Sequence, residues 1–504
     1  MLCTDSRIAL VTQPTNVTQP TKPPTSRFKD AFKQQVRTYF EQIAPDLDRW
    51  NRRNGYYYQD LDRLHQFLIP PGSRVLEVGC GTGNLLAALE PEVGVGIDFA
   101  QSAIDLAKAK YPHLQFYCLD VETLTPTAFG DNVAFDFIVL SDTVGHLGDI
   151  QQALQQLQTF CHPRTRLILT FHNFLWQPLL HLAERIGQRR PQPPQSWLSM
   201  ADVQNLLKIT GYLPVRSGRR FLMPKPIPGL AFFFNRILAH LPGINHLCLT
   251  NYVVARPAPI TNVNDYSCSV IIPARNEAGN IWGAIDRLPQ LGKHTEVIFV
   301  EGHSQDHTWA EIQRVVQQGH DRLTLKAFQQ LGKGKADAVR LGFDHATGDI
   351  LMILDADLTV QPEDLPHFFA VIASGLGEFA NGSRLVYPRS GQAMPWLNNW
   401  ANKFFSLTFS FLLGQPLKDT LCGTKVLWRE DYEKIAAGRS YFGDFDPFGD
   451  FDLLFGATKL SLHMVDVPVR YQPRTYGTSN IAHVREGLIL LQMCLYASRK
   501  IKFF

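Results

Sequence analysis

The chain has 504 residues, of which 45% are hydrophobic and 19% charged, and a formal net charge of +3. That length is too great for one ordinary core and points to two large α/β domains or about three smaller units. So small a charge, with no basic run interleaved with aromatics, excludes nucleic acid as a partner.

Residues 1 to 26 are rich in Thr, Pro and Gln, lack apolar periodicity and are expected to form a disordered tail. Their one apolar patch, at 8 to 11, is too brief for a secretion signal. From 28 to 68 the periodicity is helical, with Phe32, Tyr39, Phe40 and Trp50 followed by Tyr56, Tyr57 and Tyr58. Such a stripe either packs as core or lies over a ligand. A β-branched stretch then starts at Arg74 and runs into Gly79-Cys80-Gly81-Thr82-Gly83, which opens a helix. Glycines there let the backbone approach a ligand beside a helix N-terminus. A dinucleotide site would carry its third glycine at position 84, which is Asn84.

The spacing Gly79, Gly81, Gly83 with Glu77 just before it resembles motif I of class I S-adenosylmethionine-dependent methyltransferases. The resemblance implies a seven-stranded, Rossmann-like domain over 27 to 256 that binds S-adenosylmethionine. Asp98, closing a strand at 93 to 97, falls where such enzymes hold the ribose hydroxyls. Asp120, after a strand at 114 to 118, falls where they contact adenine, with the amide of Val121. Each acid alone would equally suit a helix cap. A fourth strand, 135 to 140, leads into the segment that such enzymes place beside the methyl group, where Asp142 and His146 are candidate bases. His146 would equally cap or pack. Strands at 165 to 171, 211 to 217 and 250 to 256 complete the sheet, the last of them antiparallel. The insertion at 224 to 249 reads as a lid or an interdomain packing helix, with a membrane-facing role as the alternative.

Residues 257 to 265, with Pro257 and Pro259, read as a linker. A strand from Cys268 then ends in Pro273-Ala274-Arg275-Asn276-Glu277, and another at 296 to 300 ends in Glu301. Lys333 and Lys335 sit in a glycine turn that opens a helix, where lysines neutralise a diphosphate together with the helix dipole. Five apolar residues from Ile350 stop abruptly at Asp355-Ala356-Asp357. Two acids at a buried strand's carboxyl end suit a hard cation on a diphosphate, or merely cap the next helix.

In this order the motifs resemble glycosyltransferase family 2, and within it enzymes similar to dolichyl-phosphate mannose synthase. The resemblance implies a GT-A-like domain over 266 to 504 that binds a nucleotide-sugar donor. Asp355 and Asp357 would hold Mg²⁺ or Mn²⁺, with Asp357 central to catalysis, and Pro273, Asn276, Glu277 and Glu301 would line the nucleotide site. Lys333, Lys335 and Arg384 would face phosphates, Arg474 would close over the site, and Asp450 would serve as base for a hydroxyl acceptor. Thr359 replaces the family's Gln, which leaves a third metal ligand open. Such enzymes that use a polyprenyl-phosphate acceptor place interfacial helices where this chain has the aromatic run from Trp396, so Phe404, Phe405 and Phe411 are expected at a membrane surface, with an ordinary buried helix as the alternative. The last stretch, from 487 to 496 with Arg499, Lys500 and Lys502, has an apolar body and a basic end suited to the same surface. Eight scattered cysteines without metal-ligand spacing fit a cytoplasmic enzyme, peripheral on the membrane at most. The whole reads as a bifunctional methyltransferase and glycosyltransferase. The alternative is a glycosyltransferase whose first domain only binds S-adenosylmethionine or scaffolds the second.

Overall fold

Strands β1 (Arg74–Val78), β2 (Val93–Asp98), β3 (Gln115–Cys118), β4 (Phe135–Ser141) and β5 (Cys161–His172) alternate with helices, as their short β-branched runs between glycines and helical stretches dictate. They pair parallel, while β7 (Thr250–Pro257) runs antiparallel between β5 and β6 (Tyr212–Arg220). The order is β3-β2-β1-β4-β5-β7-β6. The chain therefore turns back between β1 and β4, and a crevice opens beyond the carboxyl ends of those two strands. Central strand residues such as Val75, Leu76, Ile138 and Leu167 are fully buried, as a sheet covered on both faces requires. The expected helical stretch before β1 forms three helices, Pro24–Ile43, Leu47–Arg53 and Gly55–Leu68.

A second sheet follows from β8 (Ser267–Ala274), β9 (His294–Glu301), β10 (Leu323–Gln329), β11 (Ile350–Ile353), β12 (Phe379–Ser383), β13 (Lys425–Trp428) and β14 (Met464–Pro468). Its order is β10-β9-β8-β11-β13-β12-β14, with β13 antiparallel to both neighbours. β8 and β11 are parallel and the succession of strands turns back between them, so this sheet too has its crevice beside its central strands.

This computed structural model describes residues 24–130, 133–258, 265–384, 396–441, 450–469, 476 and 491–502, without the side chains of 24–30, 396–404 and 450. Most of the expected tail lies outside that range, although residues 24 to 26 are already helical. Much of the linker lies outside it as well. The seven described cysteines are free thiols.

The two domains share an interface that neither motif set announces. Glu378 is buried between them: its Oε2 lies 2.8 Å from Nη2 of Arg166, and its Oε1 lies 3.8 Å from Nη1 of Arg256. The backbone N–H of His463 donates to the same carboxylate at 2.9 Å. Arg164 reaches Glu430 at 2.6 Å and Asp431 at 3.2 Å. Beside these ion pairs one apolar cluster runs from Leu64 and Phe67 of the first domain to Phe409 and Met493 of the second.

That cluster corrects the expectation for the described side chains of the helix Trp396–Leu413, from Phe405 on; that of Phe404 lies outside the described residues. Phe405, Phe409, Leu412 and Leu413 are buried in the shared core, and Phe411 lies under the ammonium of Lys502. Leu407 alone among the described large apolar side chains of this helix is well exposed, at 73%. A helix apolar on most faces is a core helix when a partner surface covers it. The basic end of the chain is likewise committed inward, with Lys500 over Tyr441 at 4.9 Å and Lys502 over Phe411 at 4.5 Å. No helix among the described residues is long and apolar enough to cross a membrane.

Candidate functional sites

A cavity of about 580 Å³ occupies the first crevice. The glycine turn forms its floor: Gly79, Gly81 and Gly83 all take left-handed φ, at 72°, 52° and 76°. A Cβ on Gly79 would strike the Thr143 side chain, and one on Gly83 would strike the Phe116 ring. Asp98 is buried at the end of β2 and accepts from the amides of Gly81 and Ala100, both at 3.0 Å. Burial pushes its carboxyl up, and those amides pull partly the other way. Each carboxylate oxygen keeps a second acceptor direction, so the bonds to the turn leave capacity for a ligand hydroxyl. Glu77 lies deeper, accepts from the Leu86 amide at 3.1 Å, and is pushed by burial up to about 8. At neutral pH it is therefore largely a protonated strut beneath the turn.

Asp120 and Val121 line a smaller pocket beside the first. Asp120 accepts from the Glu122 amide at 3.0 Å and pairs with Lys33 of the helix Pro24–Ile43. Its carboxylate is thus a cap and an ion-pair partner as it stands. His146 also faces the cavity, with its ring edge-on to Phe40 at 5.4 Å. Burial lowers its pKa to about 3, with Arg190 adding to the effect. A ring that weakly basic is neutral at pH 7 and makes a poor general base, which weakens the expected catalytic role. Its Nδ1 is buried with no hydrogen-bond partner among the described residues, an orphaned polar atom that a bound ligand would satisfy. Asp142 is better placed: its Oδ2 accepts from the Tyr57 hydroxyl at 2.6 Å, and Tyr57 stacks on His172.

In the second crevice β11 is fully buried and ends at Ile353, two residues before Asp355. Lys335, opening the helix Lys335–Asp344, places Nζ 2.6 Å from Oδ1 of Asp355. Burial pushes the Asp355 carboxyl up, but Lys335, with Lys425 and Arg384 further off, outweighs this and holds it below the ordinary range. Gly423 backs directly onto the pair: a Cβ there would lie 2.7 Å from Cγ of Asp355 and closer still to Nζ of Lys335. Asp357 accepts from the amide and the hydroxyl of Thr359, at 3.1 and 2.8 Å. Thr359 therefore serves as a brace for Asp357. Among the described residues no group of three His, Cys, Asp or Glu side chains gathers around a point where a metal could sit.

The residues expected at the nucleotide tie loops together. Oδ1 of Asn276 accepts from the Gln305 amide at 2.8 Å, and Oε2 of Glu277 accepts from Asn280 at 2.7 Å. Glu301 accepts from the Ser304 amide and from Gln329, while Pro273 pairs in register with Val300. Tyr476 returns from the far end of the chain to lie over Gly279, its hydroxyl 3.4 Å from Asp306. Lys333 is exposed. Arg384 departs from expectation: its fork is bidentate on buried Asp419, at 2.7 and 2.9 Å, so its charge is already matched. Asp450 opens the helix Asp450–Lys459, its side chain outside the described residues, as is the whole of Arg474.

Residues 49–215 match the family model Methyltransferase domain, and residues 269–436 match Glycosyl transferase family 2. The chain joins a methyltransferase domain to a family 2 glycosyltransferase domain. It is similar to a dolichol-phosphate mannosyltransferase of Pyrococcus furiosus, 32% identical over 220 residues that cover 42% of this chain and 58% of that protein. It thus spans under two thirds of that relative's length. Glycosyltransferase AglJ of Haloferax volcanii is 26% identical over 223 residues, covering 44% of this chain and 68% of that one. Among solved structures, the magnesium protoporphyrin IX methyltransferase of Synechocystis aligns with 45% of this chain and 100% of its own, at 18% identity and a TM-score of 0.33.

The motifs do not point to Arg190 on the wall of the first cavity or to Asp62, which burial pushes up to about 6, whereas Tyr58 of the aromatic stripe lines that cavity, in line with the ligand alternative. In the glycosyltransferase domain the fully buried Lys425 donates to the carbonyl of Cys422 and lends its charge to Asp355 and Asp419. It closes the stretch Asp419-Thr420-Leu421-Cys422-Gly423-Thr424-Lys425, which resembles the family's Asp-Thr-X-X-Gly-Phe-Lys and was legible in the sequence.

Proposed function

We propose that the chain is a bifunctional enzyme: the first domain transfers a methyl group from S-adenosylmethionine, and the second transfers a sugar from a nucleotide sugar to a polyprenyl phosphate. What carries the reading is that each sheet sets its motif acids at its own switch point, Asp98 beside the glycine turn and Asp355 beside Lys335. S-adenosylmethionine supplies a methyl on a sulfonium that is already a good leaving group, so alignment is the protein's main task. The glycine turn and Asp98 hold the donor, with Asp120 and Val121 lining the adenine end. The orphaned Nδ1 of His146 is available to a ligand, and the Asp142 carboxylate, oriented by Tyr57, is placed to receive a proton from a hydroxyl acceptor. A weakly basic His146 and a Tyr57-bound Asp142 also suit the second reading, a methyltransferase domain that binds its ligand without turnover.

In the glycosyltransferase domain the two aspartates offer hard oxygen donors, which fit Mg²⁺ or Mn²⁺ that takes its remaining ligands from a diphosphate. That cation, held by Asp355 and Asp357, would offset charge on the leaving group. Lys335 holds Asp355 ionised and is positioned to turn toward donor phosphates. A polyprenyl phosphate is ionised at neutral pH and needs no base; a hydroxyl acceptor would need one, with Asp450 as candidate. The mannosyltransferase relative favours the lipid phosphate, with the protein peripheral on the cytoplasmic face of a membrane. Asp357→Asn keeps the shape and removes the charge. Sugar transfer measured while Mn²⁺ or Mg²⁺ is titrated should fall in this variant with the melting temperature unchanged; full activity would refute the metal role.

A further inference from the structure

The insertion of the methyltransferase domain and the helix Gln177–Arg185 lie side by side. Nε1 of Trp176 donates to the carbonyl of Leu247 at 2.7 Å, Nδ2 of Asn173 donates to that of His246 at 2.8 Å, and Nζ of Lys225 donates to Oε1 of Gln188 at 2.9 Å. Contacts at both ends of the helix hold it along the insertion. Its inner side is anchored by Leu180, which packs with Leu61, Phe221 and Leu249.

The outer side is apolar and open. Leu175, Leu179, Leu182 and Ile186 recur at helical spacing on one face and are 48 to 62% exposed. The neighbouring helix Leu230–Arg236 exposes Leu230, Phe232 and Phe233, the second of these at 63%, with Ile227, Ile237 and Leu247 exposed around it. Single exposed apolar residues are ordinary, but an adjoining set of this kind marks a binding surface. Its surroundings are basic: Arg185 and Lys225 are exposed and Arg236 is half-buried beside it, while the one acid, Glu184, is matched by Arg189 at 2.6 Å. Aromatic and leucine side chains rimmed by Arg and Lys match the anionic interface of a bilayer. A second copy of this chain on a two-fold axis would set the same basic rim against itself.

We infer that this face of the methyltransferase domain seats the protein on an anionic phospholipid surface. The glycosyltransferase domain meets the same region, since Lys502 at its end lies close enough to His240 of the insertion for its charge to act on that ring. The proposal stands on exposure and charge and does not depend on which acceptor takes the sugar.

The test is flotation of the full chain with phosphatidylcholine vesicles and with mixed phosphatidylcholine–phosphatidylglycerol vesicles, at low and high salt. The wild type should float with the mixed vesicles and less so at high salt. Phe232→Ser with Phe233→Ser, and separately Leu179→Ser with Leu182→Ser, should each weaken binding about tenfold or more, while the melting temperature and S-adenosylmethionine binding stay at wild-type values. The proposal is overturned if the wild type stays in the bottom fraction or the variants float equally well. It is also overturned if the variants lose only self-association. Sugar transfer to a short-chain, water-soluble polyprenyl phosphate, assayed in parallel, reports on the catalytic reading independently of flotation.

Discussion

Gly423→Ala is the sharpest perturbation of the proposed sugar-transfer site, because it adds one methyl group aimed at the Asp355–Lys335 ion pair. The new Cβ would lie 2.7 Å from Cγ of Asp355, inside any contact that real Cβ atoms make. The ammonium and the carboxylate must both give way, and β11 behind them is fully buried and cannot retreat. A displacement of roughly 1 Å at a reacting group costs on the order of 10²-fold in rate. The overpacking itself costs about 1–3 kcal/mol of stability. The assay is kcat/KM for sugar transfer beside a thermal melt and calorimetric binding of S-adenosylmethionine on the same protein. A loss of about 10²-fold is expected, with methyl-donor binding intact. Wild-type sugar transfer would refute the placement of Gly423, and loss of both functions together would show unfolding instead of local displacement.

Asp98→Ala removes an acceptor for the ligand's hydroxyls and should weaken S-adenosylmethionine binding by about 3 kcal/mol, read by calorimetry on the full chain. Glu378→Ala leaves Arg166 and Arg256 buried without their counter-charge and should cost about 3–5 kcal/mol in a denaturant melt, whereas an exposed pair would cost about 1 or less. Glu77 has a folded pKa of about 8, above the ordinary carboxyl value, so its contribution to stability is full below that ordinary value and is lost as pH rises through about 8. Paired melts of wild type and Glu77→Gln should therefore diverge in favour of Gln at alkaline pH, and a difference that stays flat with pH would contradict the burial argument.

Local chemistry was legible in the sequence and long-range partnership was not. The glycine turn, Asp98 and Asp355 follow from neighbours within a few residues, because turns and strand ends are set by φ preference and by where an apolar run stops. Asp142 meets Tyr57 across 85 positions, and Arg166 meets Glu378 across 212, pairings that no periodicity encodes. The helix Trp396–Leu413 departs from its expectation for a related reason: an apolar helix reads alike whether lipid or the rest of the protein covers it, and here Phe451 and Phe455 of its own domain cover Phe409. Arg384 looked like a phosphate ligand because Asp419, its partner, lies 35 residues on.

The central claim is that one chain carries two group transfers. Its most direct test is mass spectrometry of membrane lipid extract incubated with the full chain, nucleotide sugars and methyl-labelled S-adenosylmethionine, run beside Asp98→Ala and Asp357→Asn. The account predicts a glycosylated polyprenyl phosphate that disappears in Asp357→Asn and a labelled methyl product that disappears in Asp98→Ala. Glycolipid formed without any labelled methyl product, and unchanged in Asp98→Ala, would contradict it and leave the first domain a binding module.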